Sequence, residues 1–260
     1  MRPPELRPVQ LIEFFHLAFL EVLRLRLKPI HYVLKGGASM RFFYGSPRYS
    51  EDMDFDVDGV PRHRLERRVD DVLTSRPLRF ILASQSLRIE SVSKPKQTET
   101  TQRWKISLAR EAGDQVRTRV EFSRRGVDPR HRLEQIPAER TAPYGLPPPT
   151  VQRYLPEALI EQKVRALASR LETQARDIFD LDLLFRAAPE ALPNTSLDTR
   201  TLHLAAERIL DLSFEAYQAQ VVAFLDPDVL ELYDHPEAWE RLRAHVLQEL
   251  TTYERRSRLR

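Results

Sequence analysis

Leu34-Lys35-Gly36-Gly37-Ala38-Ser39-Met40, followed by Arg48-Tyr49-Ser50-Glu51-Asp52-Met53-Asp54-Phe55-Asp56, is the stretch on which the reading of this chain turns. Tyr32-Val33-Leu34 is a short apolar run between Pro29 and the glycine pair, so it reads as a strand entering a tight turn. Ala38–Tyr44 reads as a short helix, and Phe55-Asp56-Val57 as a second strand. Glycines between a strand and a helix let backbone amides approach a phosphate, and the helix N-terminus adds favourable partial charge. Asp52 and Asp54 alternate with Met53, so in an extended segment both carboxylates project from one face. Hard oxygen donors of this kind suit magnesium, and two cations about 3.5–4 Å apart support an in-line phosphoryl displacement. A third carboxylate usually completes such a site, and Glu121 in Arg119-Val120-Glu121-Phe122 is the candidate. A lone Asp-x-Asp is common in acidic loops and helix caps; the glycine lead-in is what makes this one specific. Asp56 and Asp58 extend the acidic run and offer Asp54 with Asp56 as a shifted register.

Around that stretch, Leu11, Ile12, Phe15, Ala18, Phe19, Val22 and Leu25 recur at spacings of a helix face, which predicts an amphipathic helix within Val9–Leu27. Pro61–Thr74 carries Leu65, Val69, Val72 and Leu73 at helical spacing. Phe80–Ala83, Leu87–Val92, Trp104–Leu108 and Val116–Phe122 read as strands. Pro143 and Pro147-Pro148-Pro149 interrupt regular structure and mark the expected boundary. Beyond them Leu159–Leu171, Arg176–Ala187, Thr201–Leu210, Phe214–Phe224 and Pro236–Tyr253 are helix-compatible. The expectation is an α+β fold: residues 1–150 form a mixed sheet with flanking helices, and residues 151–260 a helical domain.

The composition excludes several classes. With no cysteine among 260 residues, disulfides, thiolate nucleophiles and sulfur-ligated zinc are ruled out, and a cytoplasmic setting is expected. Charged residues interrupt the apolar stretch Leu11–Leu27, so neither a signal peptide nor a membrane span is expected, and no membrane partner. The net charge of +3 is small for a nucleic-acid binder, yet 41 basic residues leave room for a local basic face. Arg124, Arg125, Arg130 and Arg132 cluster after the Glu121 strand, either as a solvated loop or as a landing strip for an RNA backbone. The histidines lack metal-site pairing, and Trp104 and Trp239 are expected in cores.

Lys35-Gly36-Gly37-Ala38-Ser39 with Arg48-Tyr49-Ser50-Glu51-Asp52-Met53-Asp54-Phe55 resembles the AbiEii toxin family, polymerase-β-like nucleotidyltransferases of AbiE-type toxin–antitoxin and phage-defence systems. A second segment is similar too: Glu161-Gln162-Lys163-Val164-Arg165-Ala166-Leu167 and Ala175-Arg176-Asp177-Ile178-Phe179-Asp180-Leu181 match that family's Lys-x-x-Ala-Leu and Arg-Asp-x-x-Asp-Leu motifs. The resemblance implies a polymerase-β-like core and transfer of a nucleoside monophosphate from an NTP, with Mg2+ or Mn2+ as cofactor. It implies Lys35, Gly36, Gly37 and Ser39 on the phosphates, Asp52 and Asp54 on the metals, Lys163 on the triphosphate and Asp177 as an auxiliary group, whereas Glu121 as third ligand or base rests on the need for a strand-borne third acid and not on the resemblance. The helical C-terminal domain would thereby contribute to the nucleotide site. The resemblance also implies tRNA as acceptor and a cognate antitoxin as partner. Read from residues alone, Lys163 could instead be an exposed lysine paired with Glu157 or Glu161, and Asp177 a helix cap. A protein acceptor, and a binding module without turnover, are the rival functions.

Overall fold

The computed structural model describes residues 6–110, 113 and 115–257. Packing divides the chain into two compact units, Met1–Phe43 with Tyr49–Tyr154, and Tyr44–Arg48 with Leu155–Arg260. The first contains α1 (Pro8–Arg26), β1 (Tyr32–Lys35), α2 (Gly36–Phe43), β2 (Asp52–Val57), α3 (Arg62–Leu73), α4 (Arg76–Ala83), β3 (Leu87–Gln97), β4 (Thr101–Arg110), β5 (Gln115–Ser123), β6 (His131–Gln135), α5 (Ala138–Thr141) and β7 (Thr150–Tyr154). The second contains α6 (Pro156–Ser169), α7 (Ala175–Ala187), α8 (Thr199–Leu210), α9 (Phe214–Gln220), α10 (Leu230–Tyr233) and α11 (Pro236–Ser257).

The strands form one mixed sheet in the order β3-β4-β5-β2-β1-β7-β6. β1 runs parallel to β7, and β2 parallel to β5, while the other neighbours are antiparallel. One face is apolar: Met53, Phe55, Trp104, Ile106, Val120 and Phe122 are buried there. Phe55 stacks on Phe122 at 4.7 Å between centroids, and Tyr32 meets Phe55 edge-on at 5.4 Å; each such ring pair adds about 1 kcal/mol beyond its buried area. Helix α1 packs against α3, α4 and β5, and Phe14, Phe15, Leu17, Ala18, Phe19 and Leu23 are all inaccessible to water. A helix buried nearly all round must hide its polar groups, and Glu13 does so by accepting from Arg41 Nε (2.7 Å) and from the Tyr144 hydroxyl (2.8 Å).

Phe80–Ala83 corrects the sequence reading: it is the end of helix α4, not a strand. The Ser75 hydroxyl caps the helix by accepting from Leu78 N, Pro77 sits in the first turn, and Leu78 and Leu82 are buried one turn apart. Phe80, on the opposite face, is 82% exposed. β3 runs past Val92 to Gln97 although Pro95 lies within it, which the sheet tolerates because β3 is an edge strand whose register shifts between Ser93 and Lys96. β6 lies in the stretch read from sequence as a basic cluster. Trp104 and Trp239 are core residues, 0% and 1% exposed.

In the second unit α6 packs against α7 and α8, and α11 against α7 and α8. Tyr217 and Trp239 stack at 4.8 Å. The segment Tyr44–Arg48 belongs here through a bridge between Arg48 and Leu225 and a hydrogen bond from Asp226 N to the Pro47 carbonyl. The segment lies in the interval between Gly37 and Asp52. Among the described residues no helix is long and apolar enough to cross a membrane.

Candidate active site

Strand pairing assembles the acidic face. β2 and β5 run in parallel register with Asp52 opposite Arg119 and Asp54 opposite Glu121, and β1 places Lys35 opposite Asp54. Side chains alternate along a strand, so Asp52, Asp54 and Glu121 share the face opposite the buried Met53, Phe55, Val120 and Phe122. Asp52 is paired with Arg119 at 2.6 Å, and Glu121 accepts from Arg103 Nε at 2.5 Å. The Asp54 carboxylate has no hydrogen-bond donor among the described residues. Its burial pushes the carboxyl pKa up; Arg119 and Lys35 oppose the rise, whereas Asp52 and Glu121 add to it.

Gly36 begins α2 directly at the end of β1, with φ of +68°. A Cβ there would stand 3.1 Å from Asp54 Oδ2, so the glycine lets the backbone approach the carboxylate face. Gly37 follows in the first turn of α2. Ser39 is fully buried in the same helix, and its hydroxyl has no hydrogen-bond partner among the described residues. Lys35 Nζ lies 2.5 Å from Asp56 Oδ1, and the Tyr154 hydroxyl donates to Asp56 Oδ2 at 2.7 Å. Burial and the Asp56 carboxylate raise the Tyr154 pKa, keeping the phenol protonated as a donor. Asp56 is therefore already doubly engaged.

A support chain that sequence reasoning missed fixes the start of β2. Thr118 Oγ donates to the Glu51 carbonyl at 2.7 Å, and His16 Nε2 lies 2.7 Å from Thr118 Oγ. With the hydroxyl proton committed to Glu51, the His16 N–H is the donor to Thr118. Burial lowers the His16 pKa to about 3, so the ring is neutral. Ser50 Oγ adds a bond to the Asp52 carbonyl at 2.8 Å. Arg119 and Arg103 were also missed as counter-charges; for Arg119 the alternation around Glu121 carries the signal, since residues two apart in a strand share a face, whereas Arg103 meets Glu121 only through the pairing of β4 with β5.

Among the described residues no group of three or more His, Asp or Glu is arranged to hold a metal ion. The donor chemistry is of the hard-oxygen type that suits a divalent cation, with three carboxylates on one face, but Asp52 and Glu121 are engaged by Arg119 and Arg103, and Asp54 alone is desolvated without a described side-chain partner.

Lys163 and Asp177 lie in the second unit, in a buried ion cluster. Lys163 Nζ is 2.5 Å from Asp180 Oδ2 and 3.4 Å from Asp177 Oδ1; Arg170 pairs with Asp177 at 2.5 Å and Arg48 with Asp180 at 3.6 Å. Lys163 is 7% exposed, so pairing with Glu157 or Glu161 on the helix surface is not what occurs. Asp177 sits in the first turn of α7, but its carboxylate serves Lys163 and Arg170 and does not cap the helix. Of the arginines after β5, Arg124 donates to the Val60 carbonyl, Arg130 pairs with Asp128, and Arg132 pairs with Glu134 from within β6.

A crystal structure of a candidate nucleotidyltransferase from H. pylori superposes with a TM-score of 0.59 at 18% identity, covering 96% of this chain and 98% of that one. The crystal structure of JHP933 from Helicobacter pylori gives 0.56 at 21% identity, covering 96% and 95%. At such identities these neighbours establish the fold. No curated protein sequence matches the chain. The sequence profile of the AbiEii nucleotidyl transferase toxins of type IV toxin–antitoxin systems matches residues 18–258. That match spans both units, and this chain belongs to the AbiEii nucleotidyl transferase toxin family.

Proposed function

We propose that the protein transfers a nucleoside monophosphate from an NTP to a hydroxyl of a tRNA acceptor, releasing pyrophosphate, as the toxin of a phage-defence toxin–antitoxin pair whose antitoxin silences it in the cytoplasm. The observation that carries the chemistry is the register of β2 on β5, which sets Asp54 beside Glu121 with Asp52 on the same face. Asp52, Asp54 and Glu121 would hold Mg2+ or Mn2+, which when bound supplies charge neutralisation at the triphosphate and acidifies the attacking hydroxyl.

The chain's own residues do the rest. Gly36 and Gly37 admit the phosphates to the start of α2, where unpaired amide hydrogens and the helix dipole favour negative charge. Ser39 offers a hydroxyl with no described partner, and Lys35 adds positive charge one residue before the glycines. The acceptor oxygen forms a bond to the α-phosphorus while the bond to the bridging oxygen breaks. The electron pair leaves with pyrophosphate, and Glu121 receives the hydroxyl proton. Arg119 orients Asp52 through their 2.6 Å pair. For Lys163 and Asp177, nucleotide-site roles rest on family membership alone, because their recorded partners are each other, Asp180 and Arg170.

The test is incubation with each α-labelled NTP, Mg2+ and total tRNA. Wild type should label RNA, and Asp54→Ala should label it about 10²–10³-fold more slowly, the scale of losing one electrostatic contact to the transition state. Equal labelling by both proteins overturns the mechanism, and label on a polypeptide overturns the acceptor.

A further inference from the structure

The carboxylates occupy one end of a longer polar surface. Cross-strand register arranges the outer face of the sheet in rungs: Ser93, Lys105, Arg119 and Asp52 form one across β3, β4, β5 and β2, and Ser91, Ser107 and Arg117 form the next. These side chains line a shallow groove of about 440 Å³ that reaches Glu51 and Asp52. Arg119 is neutralised by Asp52. Lys105 and Arg117 are both exposed, and neither forms an ion pair with a described residue. With Arg119 paired, Lys105 and Arg117 outnumber Glu51, the one other charged residue that lines the groove, and two cations among serine hydroxyls make a surface that attracts a chain of phosphates. No aromatic side chain lines the groove, so it offers no platform for stacking bases.

Position adds a second argument. Gly36 and the start of α2 flank the carboxylates on the β1 side of the sheet, and the groove flanks them on the β5-β4-β3 side. An in-line displacement needs the attacking oxygen and the leaving group on opposite faces of the phosphorus. With the triphosphate on the glycine side, the acceptor hydroxyl must arrive from the groove side. We infer that this groove binds the sugar–phosphate backbone of a nucleic-acid acceptor, with Lys105 and Arg117 on phosphates and Ser91, Ser93 and Ser107 donating to phosphate or ribose oxygens. The inference rests on the nucleotidyl-transfer reading above for its direction, though the binding itself is measurable without NTP. Recognition through the backbone makes binding tolerant of sequence and leaves selection of the acceptor to shape.

The experiment uses full-length protein and fluorescently labelled total tRNA, with binding followed by anisotropy across a salt series in the absence of NTP. Relative to wild type, Lys105→Gln/Arg117→Gln should lose at least about tenfold in affinity at low salt. The slope of log K against log salt should shrink by roughly 1.4–1.8, the counterion release of two phosphate contacts. Both side chains are exposed, so thermal unfolding and NTP affinity by calorimetry should match wild type. Arg79→Gln, an exposed arginine on α4 outside the groove, should leave tRNA binding unchanged. The inference is overturned if the double variant keeps wild-type affinity and slope, if Arg79→Gln causes an equal loss, or if wild type does not bind tRNA. A wild type that binds tRNA through Lys105 and Arg117 yet releases no pyrophosphate with NTP would instead remove the transferase reading and leave the groove standing.

Discussion

At the scale of single residues, Asp54 shows how a reactive site is held against the interests of stability. Burial raises its pKa, so the folded protein binds that proton more tightly than the unfolded chain does. The sign follows: the group favours folding at pH below its unfolded pKa, and that contribution is lost as pH rises through the folded pKa. At neutral pH the ionised Asp54 is therefore a cost. Asp54→Asn should raise the unfolding temperature by a few degrees at pH 7, measured by calorimetry, with the gain vanishing in acid, while slowing nucleotide transfer about 10²–10³-fold, as for Asp54→Ala. A lower unfolding temperature at pH 7 would mean that the carboxylate is stabilised in the fold, contrary to this account. In wild type, transfer should decline with acidification at a pH above the ordinary aspartate range, because only the carboxylate form can ligate a cation. Much of this site is legible in the sequence: the i, i+2 spacing of Asp52 and Asp54 places both on one face, and the glycine pair follows a strand. The pairing of Asp54 with Glu121 depends on β2 lying parallel to β5, a contact across 67 positions of register that no local pattern encodes. For the same reason His16 and Thr118, which anchor the Glu51 carbonyl, carry no signal before the fold is known.

Elements are where local patterns compete, and α4 is the instructive case. Phe80-Ile81-Leu82-Ala83 is a four-residue apolar run of the kind that periodicity alone cannot divide between strand and helix. The deciding signals lie upstream, in Ser75 as cap and Pro77 in the first turn. Within the helix the apolar residues are unequal. Leu82→Ala should destabilise by about 2–5 kcal/mol, as for other buried leucines, and Ser75→Ala by about 1 kcal/mol through the lost cap. Phe80→Gln should be near neutral, because that ring is 82% exposed. Urea unfolding of the three variants measures this order, and a large loss for Phe80→Gln would restore the strand. The remaining differences also follow from position in the sheet. β3 continues through Pro95 only because its outer side has no partner strand to receive an amide hydrogen. β6, at the other edge, holds a single apolar residue, Leu133, between the paired Arg132 and Glu134, and gives no alternating apolar signal to read.

On the scale of the whole molecule, the second unit poses the question that family motifs raise about Lys163. Lys163 and Asp180 are buried at 7% and 1% exposure, and the cluster gathers residues from three separated stretches: Arg48, the α6 lysine, and Asp177 with Asp180 on α7. Two buried carboxylates are balanced there by Lys163, Arg48 and Arg170. Removing one partner from such a set leaves charge buried without compensation, at a cost of about 3–5 kcal/mol. Lys163→Met should accordingly lower stability by that amount in urea unfolding. Pairing it with Asp180→Leu should recover part of the loss, since the charge left behind is then removed as well. A lysine whose service is to the nucleotide alone predicts the opposite division: unchanged unfolding, a raised KM for NTP, and no rescue by the second substitution. Loss of both stability and nucleotide affinity, with rescue confined to stability, would show that the cluster holds Lys163 in the charged, oriented state that binding needs. Family membership makes that outcome the expected one. Within the second unit Arg48 adds its charge to the cluster from the interval between Gly37 and Asp52, so the balance of charge around Lys163 does not depend on α6 and α7 alone.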